Sequence, residues 1–138
     1  MTVSLTDARV LVIDDDANNR FVLVKLLQVE GVPSANIVAL PGDPAAYLTA
    51  HPGARFDLVL LDIQIPDKDG FAILADLRQD ARFVGVPVTA VTANVMRSDV
   101  ERVVAAQFNG LLGKPINGPR LGEWLQRILA GESVWKIS

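Results

Sequence analysis

The sequence predicts an α/β fold in which a parallel sheet is covered by helices on both faces. Short apolar runs alternate along the chain with segments whose apolar residues recur at helical spacing. Polar residues scarcely interrupt the runs, which is typical of strands buried on both faces. Right-handed crossovers between such strands leave few topologies. With 138 residues, the chain is long enough for one domain with one core.

Five strands and five helices are predicted in alternation. The strands are residues 9–13, 36–40, 57–61, 86–92 and 110–113. The helices follow at 17–30, 43–51 and 71–80, then around 96–104 and 121–129. On the first helix an apolar face is predicted from Val22, Leu26 and Val29, with Leu23 and Leu27 beside them. Gly31 can end that helix.

Composition excludes several classes of function. The chain has no cysteine, so disulfides, thiolate catalysis and cysteine metal sites are excluded. Its net charge of -3 creates no field that attracts a polyanion, and direct nucleic-acid binding is not expected. No apolar run approaches the roughly 20 residues of a membrane helix. We therefore expect a cytoplasmic protein without membrane insertion.

Polar residues follow four of the predicted strands, and they are the candidate site. They are Asp14, Asp15 and Asp16 after the first strand, Asp62 after the third, Thr92, Ala93 and Asn94 after the fourth, and Lys114 with Pro115 after the fifth. Ligands of open α/β sheets bind at the carboxyl ends of the strands, so these side chains should converge. Two carboxylates about 4 Å apart repel by roughly 4 kcal/mol at an effective dielectric near 20. A hard divalent cation such as Mg²⁺ would relieve that repulsion.

The same groups suit phosphoryl transfer. A carboxylate can accept a phosphoryl group as an acyl phosphate, while a metal ion, a lysine and a hydroxyl hold the phosphoryl oxygens. Each residue also has a simpler explanation, because an aspartate of the acidic run can cap the first helix, Thr92 can fill a strand, and Lys114 can be a solvated lysine. Their combination at one sheet edge is what favours a site.

Four segments in this order carry a family resemblance: VLVIDDD, DLVLLDIQIPDKDG, PVTAVTAN and GKPI. The chain resembles the receiver domain of bacterial two-component response regulators, of the stand-alone, CheY-like type, from about Arg9 to Gly131. The resemblance implies a flavodoxin-like (βα)5 fold, a doubly wound parallel five-stranded sheet of order 2-1-3-4-5. It assigns residues 1–131 to the receiver domain and 132–138 to a C-terminal tail.

The resemblance also implies a metal site. Asp62 matches the aspartate that is phosphorylated from a histidine kinase or a histidine phosphotransfer protein. Asp15, Asp62 and the backbone carbonyl of Gln64 match the ligands of Mg²⁺, which Mn²⁺ can replace. Asp14 matches the acidic residue that acts through metal-bound water.

The phosphate-binding groups are implied in the same way. Thr92 matches the hydroxyl that moves toward the phosphoryl group, and Ala93 lies beside it. Lys114 matches the charge partner of the phosphoryl group, and a cis peptide bond at Pro115 is expected after it. The family's domain is a signalling phosphoacceptor and not an enzyme in the usual sense.

The chain departs from the family at its output side. The family usually has an aromatic residue three positions before the lysine, where this chain has Leu111. The expected switch and output residues are Leu111, Asn94 and Trp124. Because Leu111 has no aromatic ring, phosphorylation is expected to be signalled to the output surface in a way that is unusual for the family. Trp135 in the tail either packs back onto the domain or contacts a partner, and a homodimer is left open.

The expected function is a switch or relay that acts on a downstream protein. The alternative is a degenerate receiver that serves as a phosphorylation-independent interaction module. A phosphatase of the haloacid dehalogenase type would need a second aspartate where Gln64 stands. A flavodoxin-like electron carrier would need a hydroxyl-rich phosphate loop, whereas DDDANN after the first strand would repel a phosphate.

Overall fold

The computed structural model describes residues 3–66, 68–93 and 96–136. Its strands are β1 (Val10–Ile13), β2 (Ile37–Leu40), β3 (Leu58–Asp62), β4 (Val88–Thr92), β5 (Gly110–Gly113) and β6 (Trp135–Lys136). The helices are α1 (Ala17–Val29), α2 (Ala45–Ala50), α3 (Gly70–Arg78), α4 (Arg97–Ala105) and α5 (Gly118–Leu129). Two short 3₁₀ turns cover Ser34–Asn36 and Ala81–Phe83.

All six strands form one parallel sheet of order β2-β1-β3-β4-β5-β6. The first five strands have the expected flavodoxin-like order, which confirms the predicted fold class, and β6 adds a sixth strand that was not predicted. That strand comes from the tail, where residues 135 and 136 pair with β5. The tail therefore completes one edge of the sheet.

Two apolar clusters cover the sheet, one on each face. Strand residues point alternately to the two sides, so that Leu11 and Ile13 enter one cluster while Val10 and Val12 enter the other. One cluster is closed by side chains of α2, α3 and α4, and the other by side chains of α1 and α5. Because both faces are covered, β1, β3, β4 and β5 are buried along their whole length.

The buried face of α1 is narrower than predicted. Leu23 and Leu27 are buried, whereas Val22 and Val29 are 54% and 80% exposed. The helix carries more apolar residues than the sheet can cover, and periodicity cannot tell which of two neighbouring columns faces inward. None of the described helices is long and apolar enough to cross a membrane.

Candidate functional site

The carboxyl ends of four adjacent strands bring the predicted polar residues to one edge of the sheet. Asp14 follows β1, and Asp62 is the last residue of β3. Thr92 ends β4, and Lys114 follows β5. The order of the strands places β1 and β4 on either side of β3, so Asp62 lies between the other groups.

Lys114 joins the two buried carboxylates. Its Nζ lies 2.7 Å from Oδ2 of Asp14 and 3.0 Å from Oδ2 of Asp62. Asp14 and Asp62 are only 3% and 6% exposed, so this ammonium group is the counter-charge that makes their burial tolerable. The expected cis peptide bond between Lys114 and Pro115 is confirmed.

Backbone N–H groups hold the other oxygens of these carboxylates. Oδ1 of Asp14 accepts a hydrogen bond of 2.9 Å from the N–H of Asp16. Oδ1 of Asp62 accepts one of 2.9 Å from the N–H of Gln64. Asp16 itself is the N-cap of α1 and accepts from the N–H of Asn19, which confirms that one member of the acidic run caps the helix. The loops after β1 and β3 therefore fix the orientation of the Asp14 and Asp62 carboxylates.

The electrostatics of the site are set by burial and by the lysine. Burial raises the pKa of Asp62 above its ordinary value of 3.8, against the opposing effects of the Gln64 N–H and of Lys114. Burial alone would lower the pKa of Lys114, but its hydrogen bonds to Asp14 and Asp62 outweigh burial and raise the pKa above 10.5. A protonated lysine thus faces a carboxylate whose charge is incompletely compensated.

Three carboxylates could hold a metal ion at this edge. One oxygen from each of Asp14, Asp15 and Asp62 lies within 4.8 Å of the other two. Asp15 is exposed, so the group opens to solvent on one side. Oxygen donors with an open side fit Mg²⁺ or Mn²⁺, which retain bound water.

Gly70 allows α3 to start against the end of β3. A Cβ at this position would lie 2.6 Å from Cα of Ile63 and 2.8 Å from the carbonyl oxygen of Asp62. The N–H of Gly70 also donates to the carbonyl of Ile63 over 3.2 Å. The absence of a side chain here therefore helps to shape the loop that carries Asp62 and Gln64.

The remaining predicted residues fall into three places. Thr92 is buried beneath the site, and its carbonyl accepts the backbone N–H of Lys114 over 2.8 Å. Ala93 follows it and is exposed, while Asn94 lies outside the described residues. Leu111 is 1% exposed and Trp124 4%. The Trp124 ring packs inside the cluster beneath α5, and the output role expected of Leu111 and Trp124 stays a prediction.

Arg20 is a neighbour of the site that was not among the predicted site residues. Its Nη1 donates to the backbone carbonyl of Asp14 over 2.7 Å, from the first turn of α1. A cation one helical turn beyond an acidic run is the signal that could have found it. Its bond ties α1 to the loop after β1.

The family model for the response regulator receiver domain matches residues 10–126 of the sequence. The chain belongs to this family. Strands β1 to β5, the acidic group and Lys114 lie within the matched residues.

Receiver domains from several kinds of protein are similar to this chain. The polar-differentiation response regulator DivK of Brucella ovis is 31% identical over 122 residues, which are 87% of this chain and 94% of that protein. Hybrid signal transduction histidine kinase L of Dictyostelium discoideum is 30% identical over 122 residues, and the chain spans only 7% of its length. The chain therefore matches one part of that kinase.

A solved receiver domain shares the fold. The receiver domain of the sensor histidine kinase PA1611 from Pseudomonas aeruginosa is 27% identical and superposes with a TM-score of 0.75, over 89% of this chain and 98% of that one. That structure has a magnesium ion coordinated in its active-site cleft.

Proposed function

We propose that this receiver is a Mg²⁺-dependent phosphoryl acceptor in which Asp62 takes the phosphoryl group. The observation that carries the proposal is the contact of Lys114 with both Asp14 and Asp62, beside a third carboxylate at the same edge. The half-buried lysine, together with a cation held by the acidic group, would supply the positive charge that phosphoryl transfer needs.

The reaction is a transfer between two nucleophiles. The donor is a phosphohistidine of another protein. An oxygen of Asp62 forms a bond to phosphorus while the bond from phosphorus to the imidazole nitrogen of that histidine breaks. The electron pair of that bond stays on the imidazole, and the product is an acyl phosphate. No oxidant or reductant takes part.

Asp14, Asp15 and Asp62, with the backbone carbonyl of Gln64, would hold the Mg²⁺ or Mn²⁺ ion. The fit rests on the donor set, because these groups offer only oxygen and three of them lie within 4.8 Å of one another. The magnesium ion in the PA1611 receiver domain supports the same assignment. When bound, the ion would neutralise charge on the transferred phosphoryl group.

Thr92, Ala93 and Lys114 would bind the phosphoryl group. Lys114 already lies 3.0 Å from Asp62, so its ammonium stands beside any group attached to that carboxylate. Thr92 lies at the end of the neighbouring strand and is joined to the backbone of Lys114. This backbone bond supports a coupled response of the two residues to a phosphorylated Asp62.

A sensor histidine kinase or a histidine phosphotransfer protein would supply the phosphoryl group, and a downstream protein would read the state of Asp62. The likeness to the response regulator DivK, over nearly its whole length, supports a role as a response regulator. The likeness to a hybrid kinase is compatible with a relay role.

Acetyl phosphate tests the proposal without a partner. We expect it to label the native protein in Mg²⁺ and not in chelator, and we expect Asp62→Asn to remain unlabelled. Asp57→Asn is the control, because Asp57 accepts a backbone N–H from Arg9 at the other end of the same strand. A folded native protein that stays unlabelled in donor excess would instead favour the phosphorylation-independent interaction module.

A further inference from the structure

The tail is attached to the outer edge of β5 by backbone and side-chain contacts. The N–H of Leu111 donates to the carbonyl of Val134 over 2.9 Å, and Trp135 and Lys136 continue the pairing beside Leu111 and Leu112. The Val134 side chain is 1% exposed and belongs to the apolar cluster beneath α5. The tail is thus part of the packed domain as far as residue 136.

Gly110 makes the close approach of the tail possible. A Cβ at Gly110 would lie 2.4 Å from the carbonyl oxygen of Val134 and 3.2 Å from its nitrogen. Backbone atoms cannot yield as the end of a flexible side chain can. Any larger residue at this position would therefore push Val134 away from β5.

The strand that the tail covers leads directly to the lysine of the site. Lys114 follows Gly113, the last residue of β5, and its N–H is bonded on the inner side to Thr92. Asp14 and Asp62 lie at the ends of β1 and β3, neither of which is paired with β6. Of the residues at the site, Lys114 is therefore the one that directly continues the strand to which the tail is bound.

We propose that the tail positions Lys114 for phosphoryl transfer, with Val134 and Gly110 as positioning residues. By pairing with the outer edge of β5 and filling the cluster beneath it, the tail keeps the strand in register with β4. The ammonium is thereby held between the two carboxylates. This inference rests on the proposed phosphoryl-acceptor function.

Val134→Ala tests the inference against a matched control, Val32→Ala. Both valines are 1% exposed and belong to the same cluster, but Val32 lies in the loop after α1, far from β5 in the chain. We expect both variants to lose thermal stability. With acetyl phosphate at a temperature where both are folded, only Val134→Ala should be labelled more slowly, by roughly tenfold, because a misplaced group costs up to about 10²-fold.

The affinity for Mg²⁺, measured by calorimetry, separates positioning from general damage. It should not fall in either valine variant, because the carboxylates lie on other strands and a displaced Lys114 ammonium would compete less with the cation for Asp14 and Asp62. Gly110→Ala should repeat the slow labelling of Val134→Ala, whereas Gly53→Ala should not, since a Cβ at Gly53 meets no described atom within 4 Å.

Two results would contradict the inference in distinguishable ways. An unlabelled native protein would overturn the proposed function and this inference together. A labelled native protein whose Val134→Ala variant reacts as fast as Val32→Ala, or loses Mg²⁺ affinity in proportion to its rate, would overturn the positioning role alone.

Discussion

Asp62 is the residue in which the demands of folding and of chemistry conflict. It is 6% exposed, and burial raises its pKa even though Lys114 and the Gln64 N–H favour the charged form. The nearby Asp14 adds to the rise. The ionised carboxylate is therefore held at a cost to the folded state, and a bound cation would remove part of that cost.

The pH dependence of stability follows from the direction of this shift. The pKa of Asp62 in the folded state lies above 3.8, so its ionisation destabilises the fold as pH rises through the window above 3.8. In chelator at pH 7, we expect Asp62→Asn to melt at a higher temperature than the native protein. The difference should shrink as pH falls toward 3.8. A variant that melts lower than the native protein at pH 7 would contradict this, and Asp57→Asn should show no such gain.

Gly70 is predicted to be essential for the close packing of α3 against the end of β3. A methyl group there would meet Ile63 at 2.6 Å and the carbonyl of Asp62 at 2.8 Å, so α3 must move away from β3. We expect Gly70→Ala to lower the free energy of unfolding by about 1–3 kcal/mol in denaturant titration. Gly53→Ala is the comparison, and equal midpoints for the two variants would show that the contact is not tight.

At the scale of elements, different aspartates of the acidic run after β1 serve helix α1 and the site. Asp16 caps α1 through the N–H of Asn19, whereas Asp14 and Asp15 belong to the acidic group. The carboxylate that stabilises the helix is therefore distinct from those that could hold a cation.

Two alanine variants separate these roles. Asp16→Ala should cost about 1 kcal/mol of stability, typical of a lost N-cap, and leave Mg²⁺ affinity nearly unchanged. Asp15→Ala should weaken Mg²⁺ binding in calorimetry with little change in the melting temperature of the metal-free protein, because its side chain is exposed. The reverse pattern would mean that the two residues have been assigned to the wrong roles.

The sequence predicts the site better than it predicts the surfaces of the elements. Parallel strands must bring their carboxyl ends to one edge, so Asp14, Asp62 and Lys114 could be placed together without coordinates. The contact of Arg20 with a backbone carbonyl depends on how α1 sits on its loop, which periodicity does not specify. For the same reason the exposed column of α1 was predicted to be buried.

The sixth strand could not be read from the tail. Only residues 135 and 136 pair with β5, and so short a strand has no alternation to detect. What holds it is the hydrogen bond from the Leu111 N–H to the carbonyl of Val134, 23 positions away in the chain, at a close approach that Gly110 allows. Such pairing depends on the shape of the finished sheet edge.

At the scale of the whole molecule, cation binding and folding should be linked. An ion that binds the folded acidic group and not the unfolded chain stabilises the fold by about 2.7 kcal/mol at 100 times its dissociation constant. We expect Mg²⁺ to raise the melting temperature of the native protein and to leave that of Asp15→Asn nearly unchanged. Potassium chloride at matched ionic strength is the control, and an equal effect of both salts would contradict a specific site.

The central claim is that a carboxylate oxygen of Asp62 accepts the phosphoryl group, in addition to any role of Asp62 in binding the metal ion. Loss of labelling in Asp62→Asn cannot separate these roles, because the same carboxylate belongs to the acidic group. Borohydride reduces an aspartyl phosphate to homoserine, and peptide mass spectrometry then locates the converted residue.

We would make that measurement on the native protein after acetyl phosphate treatment in Mg²⁺. The predicted result is homoserine at position 62, with Asp14 and Asp15 unconverted. Homoserine at position 14 or 15 would contradict the claim that Asp62 accepts the phosphoryl group. Incorporation of phosphate without homoserine at position 62 would contradict it as well.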